Sequence, residues 1–175
     1  KTVLLVQDML DWTLYVFNPI FISNSLRLLK LKNFYSGRCV IMGNGPSLKK
    51  TPLRWLKKEK IFGTNRIYML FNKLPKEVDY YLSINQLLIS QAYGDINKLK
   101  MPKIISWKAR KYIKRDRNTI FVKTNLGLKF STNPIWGIWE GATVTYAALQ
   151  MAYYLGFTEV ILIGVDHNFV TKGEA

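Results

Sequence analysis

Arg38-Cys-Val-Ile-Met-Gly-Asn-Gly-Pro-Ser47 is the stretch whose reading decides the fold. Arg38 to Met42 is a short apolar run rich in β-formers and closed by glycine, the pattern of a strand buried on both faces. Gly43 to Ser47 then reads as a tight loop. Beyond it, Thr51-Pro52 offers a helix start, with a hydroxyl able to cap and proline at the first helical position. Leu53, Leu56 and Lys57 would carry that helix to about Lys60.

The same alternation repeats outward. Ile61–Thr64, Tyr80–Ile84, Lys103–Trp107 and Thr119–Lys123 are strand candidates, and Gln86–Leu99 is a helix candidate. Thr124 to Glu140, with glycines, a proline and tryptophans, reads as a loop. Thr143 to Leu155 has helical periodicity and stops at Gly156, and Glu159–Val165 is the clearest strand in the chain. Upstream, residues 8–33 read as helical, with a break at Asn33 and a turn at Ser36-Gly37. Strands separated by helical segments predict an α/β fold with a doubly wound, mostly parallel sheet. Residues 1–36 form a helical lead-in and 37–175 the sheet domain.

The chain has 175 residues, enough for one domain with a sizeable core. Hydrophobic residues at 49% and aromatics at 14% exclude disorder, despite 26 basic residues against 11 acidic and a net charge of +15. One cysteine, Cys39, and one histidine, His167, rule out an internal disulfide and leave Cys- and His-based metal sites unsupported. No metal site is expected. Trp12–Leu26 is uncharged but too short for a membrane span and is interrupted by Asn18 and Pro19. A reducing, cytoplasmic setting follows from the cysteine usage. Nine basic residues between Lys98 and Arg117, against the single acid Asp116, suit peripheral contact with an anionic inner-membrane face or an anionic acceptor. No nucleic-acid motif accompanies the charge, so nucleic acid is not an expected partner. The chain starts at Lys1 and stops at Ala175, shortly after Asp166, and is expected to be cut short at its C-terminus.

In an open parallel sheet, ligands bind beyond the carboxyl ends of the strands. Polar residues recur there: Asn44 and Ser47 after the first strand, Asn65 after the second, Asn85 after the third, and Asp166-His167-Asn168 after the last. Gly43 and Gly45 let backbone approach a ligand, leaving N–H groups for phosphate oxygens. The loop lacks the Lys-Ser/Thr of a Walker A motif, and Leu48 stands where a dinucleotide fingerprint has its third glycine. Gly141 and Thr143 open a helix whose N-terminus favours an anion. Asp166 and His167 are the candidate catalytic acid–base groups.

Ile41–Leu48, Gly63–Tyr68, Gly141–Leu149 and Leu162–His167 together resemble the 6-hydroxymethylpterin diphosphokinase MptE-like family. The order of these motifs is also similar to that of the related bacterial sialyltransferases of glycosyltransferase family 42. The resemblance implies a Rossmann-like (GT-A-variant) domain that binds a nucleotide at its strand ends. In those sialyltransferases the loop contacts the phosphate and ribose of a CMP-sugar, which assigns that role to Asn44, Gly45 and Ser47. Asn65 and Asn85 carry over as strand-end asparagines, and Gly141–Thr143 as the small-residue helix start. His167 and Asn168 stand where those enzymes place phosphate-binding tyrosines, and the sialyltransferase catalytic histidine lies further on. The implied function is a nucleotide-sugar-dependent glycosyltransferase of surface-glycan assembly, with the nucleotide-sugar as co-substrate and a glycan as acceptor. The alternatives are a pterin diphosphokinase using Mg²⁺-ATP, with Asp166 at the metal, and a non-catalytic nucleotide-binding scaffold.

Overall fold

The computed structural model describes residues 2–166. Six strands form one parallel sheet: β1 (Arg38–Met42), β2 (Lys60–Thr64), β3 (Tyr80–Ser83), β4 (Lys103–Ser106), β5 (Thr119–Val122) and, after two short strands given below, β8 (Glu159–Ile163). Their order is β5-β4-β3-β2-β1-β8, with every neighbouring pair parallel. The parallel α/β sheet expected from the alternation is observed, in the Rossmann-like arrangement that the resemblance implies.

Two cores follow from the period-2 alternation of side chains on these strands. Cys39 and Ile41 of β1 point to one face, where they meet Ala148, Met151 and Leu155 of α4 (Val144–Leu155). Val40 and Met42 point to the other, into the cluster that holds Ile89 and Ile96 of α3 (Gln86–Ile96). The lone thiol, Cys39, is buried, and burial pushes its pKa up to about 12, so it is an inert core residue.

The lead-in is a pair of helices, α1 (Thr2–Val16) and α2 (Pro19–Leu31). Asn18 breaks them and caps α2, its side chain accepting from the Ile20 N–H at 2.9 Å. Tyr15 and Leu28 are buried in the two cores, so both helices are packed onto the sheet. Asn24, fully buried, donates its amide to the Phe121 carbonyl at 2.9 Å and covers the open edge of β5.

Three expectations change. The segment after β1 is not an α-helix but two 3₁₀ turns, Pro46–Lys49 and Leu53–Lys58. Leu53 and Leu56 recur at the three-residue period of a 3₁₀ helix, and both pack into the core on that face of the sheet. The loop Thr124–Glu140 contains a parallel pair of two-residue strands, β6 (Thr124–Asn125) and β7 (Ile138–Trp139). The basic run is also divided. Lys103 is buried, bonding the Leu99 carbonyl at 2.9 Å and Asp116 at 3.0 Å, so it is unavailable to a partner. Lys114, Arg115 and Arg117 are exposed near the start of β5, whereas Arg110 stacks on Trp107 after β4, 4.2 Å from its ring centroid.

Candidate functional site

β1 and β8 are neighbours in the sheet, but the chain leaves β1 toward β2 while β8 lies on the opposite side. The loops beyond their carboxyl ends therefore diverge, and a cleft of about 370 Å³ opens between them. Its walls come from the β1 loop, the end of β2, the start of α4 and the turn after β8.

The glycines of the β1 loop serve the contact between strands. A Cβ on Gly43 would collide with the Gly164 carbonyl oxygen, and one on Gly45 would collide with the Asp166 carboxylate. Gly43 N–H donates to the Ile163 carbonyl at 2.8 Å, and Gly45 N–H to that of Gly164, also at 2.8 Å. Ser47 N–H donates to Asp166 Oδ2 at 2.7 Å. These N–H groups, expected from the sequence to await phosphate oxygens, are engaged within the protein. Asn44 is exposed, and its amide donates to the Thr64 carbonyl at 2.9 Å, tying the β1 loop to the end of β2.

Opposite the loop stands the N-terminus of α4. Thr143 caps it, its hydroxyl accepting from the Thr145 N–H at 3.3 Å. The approach to this cap is bent through two left-handed residues, Gly141 at φ 52° and Ala142 at φ 61°. At the bend, Gly141 N–H donates to the Gly127 carbonyl at 3.1 Å and Thr143 N–H to the Glu140 carbonyl at 3.0 Å. Beside it stands Gln150, fully buried one helical turn and more downstream. Its carbonyl oxygen accepts from the N–H groups of Ser131 (3.0 Å) and Trp139 (2.9 Å), and its amide donates to the carbonyls of Trp139 (2.8 Å) and Tyr146 (3.0 Å). One side chain thus fastens the 124–140 segment to α4. At the third wall, Asn65 adopts φ 53°, and its side-chain oxygen accepts from the Ser83 hydroxyl at 3.3 Å. Asparagine takes this left-handed conformation more readily than other side-chain-bearing residues, which suits it to the turn that closes β2.

Of the residues singled out in the sequence, Gly43, Asn44, Gly45, Asn65, Thr143 and Asp166 line this cleft. Ser47 reaches it only through its backbone contact with Asp166. Asn85 does not line it: its side chain accepts from the Leu88 N–H at 3.0 Å as the cap of α3. Gly141 shapes the approach to Thr143 without lining the cleft. His167 and Asn168 lie outside the described residues. Sequence reasoning missed Thr64, Val144, Thr145 and Gln150. Thr64 precedes the predicted Asn65 and Thr145 follows Thr143 by a helix step, so strand-end and cap spacing pointed beside them. Nothing local marks Gln150, whose partners are a loop away.

The sequence profile of the 6-hydroxymethylpterin diphosphokinase MptE-like family matches residues 18–172. The chain belongs to that family. Membership places it among transferase-like, nucleotide-related proteins. The matched span of this MptE-like chain takes in α2, every strand and the whole cleft. Among solved structures, the MAf glycosyltransferase from Magnetospirillum magneticum AMB-1 is similar in fold, with 16% sequence identity and a TM-score of 0.55. That match covers 89% of the present chain and 29% of the MAf glycosyltransferase. No curated protein sequence matches the chain.

Proposed function

We propose that the protein is a nucleotide-dependent transferase, a sialyltransferase-like glycosyltransferase whose donor is a nucleotide-sugar of the CMP-sugar class. The observation that carries this reading is the cleft at the β1/β8 switch point, where the α4 N-terminus faces the Gly-Asn-Gly-Pro loop. Because Asp166 already holds the Ser47 N–H, the donor phosphate seats at the α4 end, where the helix dipole and the N–H groups near Thr143 favour an anion. The carbonyl oxygen of the Asn44 amide, with no partner among the described residues, accepts from a ribose hydroxyl. Fixed donors at the leaving phosphate stabilise the charge that develops as the glycosidic bond breaks. Asp166 and His167 are the groups proposed to move the proton.

The alternative, a diphosphokinase using Mg²⁺-ATP, draws on the family description. It would place Mg²⁺ at Asp166, a carboxylate lining the cleft, with substrate phosphates completing the shell. Thermal unfolding with CMP, CDP, ADP or ATP, each with and without Mg²⁺, separates the two. A nucleotide at 100 times its Kd adds about 2.7 kcal/mol. At roughly 2–4 °C per kcal/mol, the midpoint rises by roughly 5–10 °C. Stabilisation by cytidine nucleotides without metal supports the glycosyltransferase, and a rise with ATP and Mg²⁺ alone supports the kinase. A flat response to every nucleotide leaves the scaffold reading. Asn44→Ala, which removes both the tie to Thr64 and the hydroxyl acceptor, is expected to lower the cytidine response by at least half.

Peripheral attachment to an anionic membrane is part of the same proposal. Among the described residues no helix is long and apolar enough to cross a membrane. Ile22, Leu26 and Leu29 nevertheless form an exposed stripe along α2, beside Lys30 and near Arg115 and Arg117. Apolar residues at a surface flanked by cations are what an interfacial helix presents to acidic lipid.

A further inference from the structure

A second, larger cavity lies on the other side of the β1 loop. It measures about 640 Å³ and shares Asn44, Gly45 and Pro46 with the donor cleft, so one loop forms the wall between them. Leu53, Leu70 and Leu74 contribute its apolar surface, while Lys49, Arg54 and Lys73 line it with positive charge. Among the described residues no carboxylate lines it and none of these cations belongs to an ion pair.

We propose that this groove is the acceptor site and that it takes a lipid phosphate, a phosphate monoester of a long-chain alcohol. The chemistry of the lining calls for an amphipathic anion. An aliphatic body gains by covering the leucines, whose exposure to water is otherwise unfavourable. Three cations without counter-ions match a doubly charged phosphate better than a single carboxylate, and arginine suits phosphate oxygens in particular. A purely polar glycan would leave the leucines wet, and an uncharged lipid would leave the cations unmatched. The acceptor role rests on the donor reading of the neighbouring cleft. At the loop the two sites share, a phosphate oxygen of the lipid forms the bond to the anomeric carbon of the donor as that carbon's bond to the CMP phosphate oxygen breaks, and CMP leaves with the electron pair.

Isothermal titration calorimetry with decyl phosphate, below its aggregation concentration, tests the site. Decyl phosphate is expected to bind at least tenfold more tightly than decanol, inorganic phosphate or decanoate. The triple variant K49A/R54A/K73A, altered only at exposed positions, is expected to lose at least tenfold in decyl phosphate affinity while keeping the midpoint rise with CMP. Equal binding of decyl phosphate by the variant, or of inorganic phosphate or decanoate by the parent, overturns the proposal. Loss of the CMP response in the variant also overturns it, by making the cations part of the donor site. If no nucleotide binds either protein but cation-dependent decyl phosphate binding persists, the lipid-phosphate site stands and its acceptor role falls. Binding that weakens as protein concentration rises would mark the groove as a contact between copies and overturn the assignment.

Discussion

Gly43 lines the cleft and is also required by the packing of the strands beneath it. Its α-carbon passes so close to the Gly164 carbonyl that any side chain would push β1 and β8 apart at the floor of the cleft. Gly43→Ala is expected to destabilise the fold by about 1–3 kcal/mol, the ordinary cost of forced overpacking, measured by denaturant unfolding. Charge acts at the same scale. Asp79 is partly buried, which alone would raise its pKa, but Lys76, the Ile61 N–H and Lys60 together hold it below the usual aspartate value. A carboxyl depressed in the folded state stabilises fully above its unfolded pKa of about 3.9 and loses that contribution as pH falls through the lower folded value. Asp79→Asn is therefore expected to unfold at a lower temperature than the parent at pH 6. The gap should narrow as the pH is taken below the unfolded value of about 3.9, followed by circular dichroism.

At the scale of elements, the strands and α4 were readable because several local signals agree. Arg38–Met42 and Glu159–Ile163 combine β-branched composition with a following glycine, and Thr143 and Gly156 cap α4 at both ends, Gly156 in the left-handed conformation that favours glycine. The crossover after β1 was misread because Thr51-Pro52 is a helix-start signal whatever follows it. β6 and β7 were invisible, since two residues cannot display a period. The site divides in the same way. Asn44, Asn65, Thr143 and Asp166 follow from their places at strand and helix ends, whereas Gln150 works through Ser131 and Trp139, which only the fold brings near. Gln150→Leu keeps a similar volume and strands those part-buried partners. It is expected to cost about 1–3 kcal/mol and to reduce the cytidine response, because the α4 N-terminus loses its anchor. Thermal shift with and without CMP reads both effects.

Across the whole molecule, the net charge of +15 and the apolar faces of the lead-in act together. Large hydrophobic side chains stand exposed at Leu10, Leu14 and Phe17 as well as along α2. Flotation with phosphatidylglycerol vesicles is expected to recover the protein at low salt, and phosphatidylcholine vesicles are not. Raising ionic strength from about 0.05 to 0.5 M, which shortens the screening length to a few ångströms, should weaken the attachment severalfold. L26E/L29E should weaken it even at low salt. Recovery that ignores both salt and the leucine changes would remove the membrane from the proposal.

The pairing of β1 with β8 also sets a timetable. Arg38 lies beside Glu159, so β1 waits for a strand made much later in synthesis. Closing so long a loop is slow and is rewarded only when the contact forms. Both strands must have left the ribosome before the cleft exists, and until then the flank of β1 is open to wrong pairings. In the proposed function, a nucleotide that binds there would favour the finished fold over every earlier intermediate.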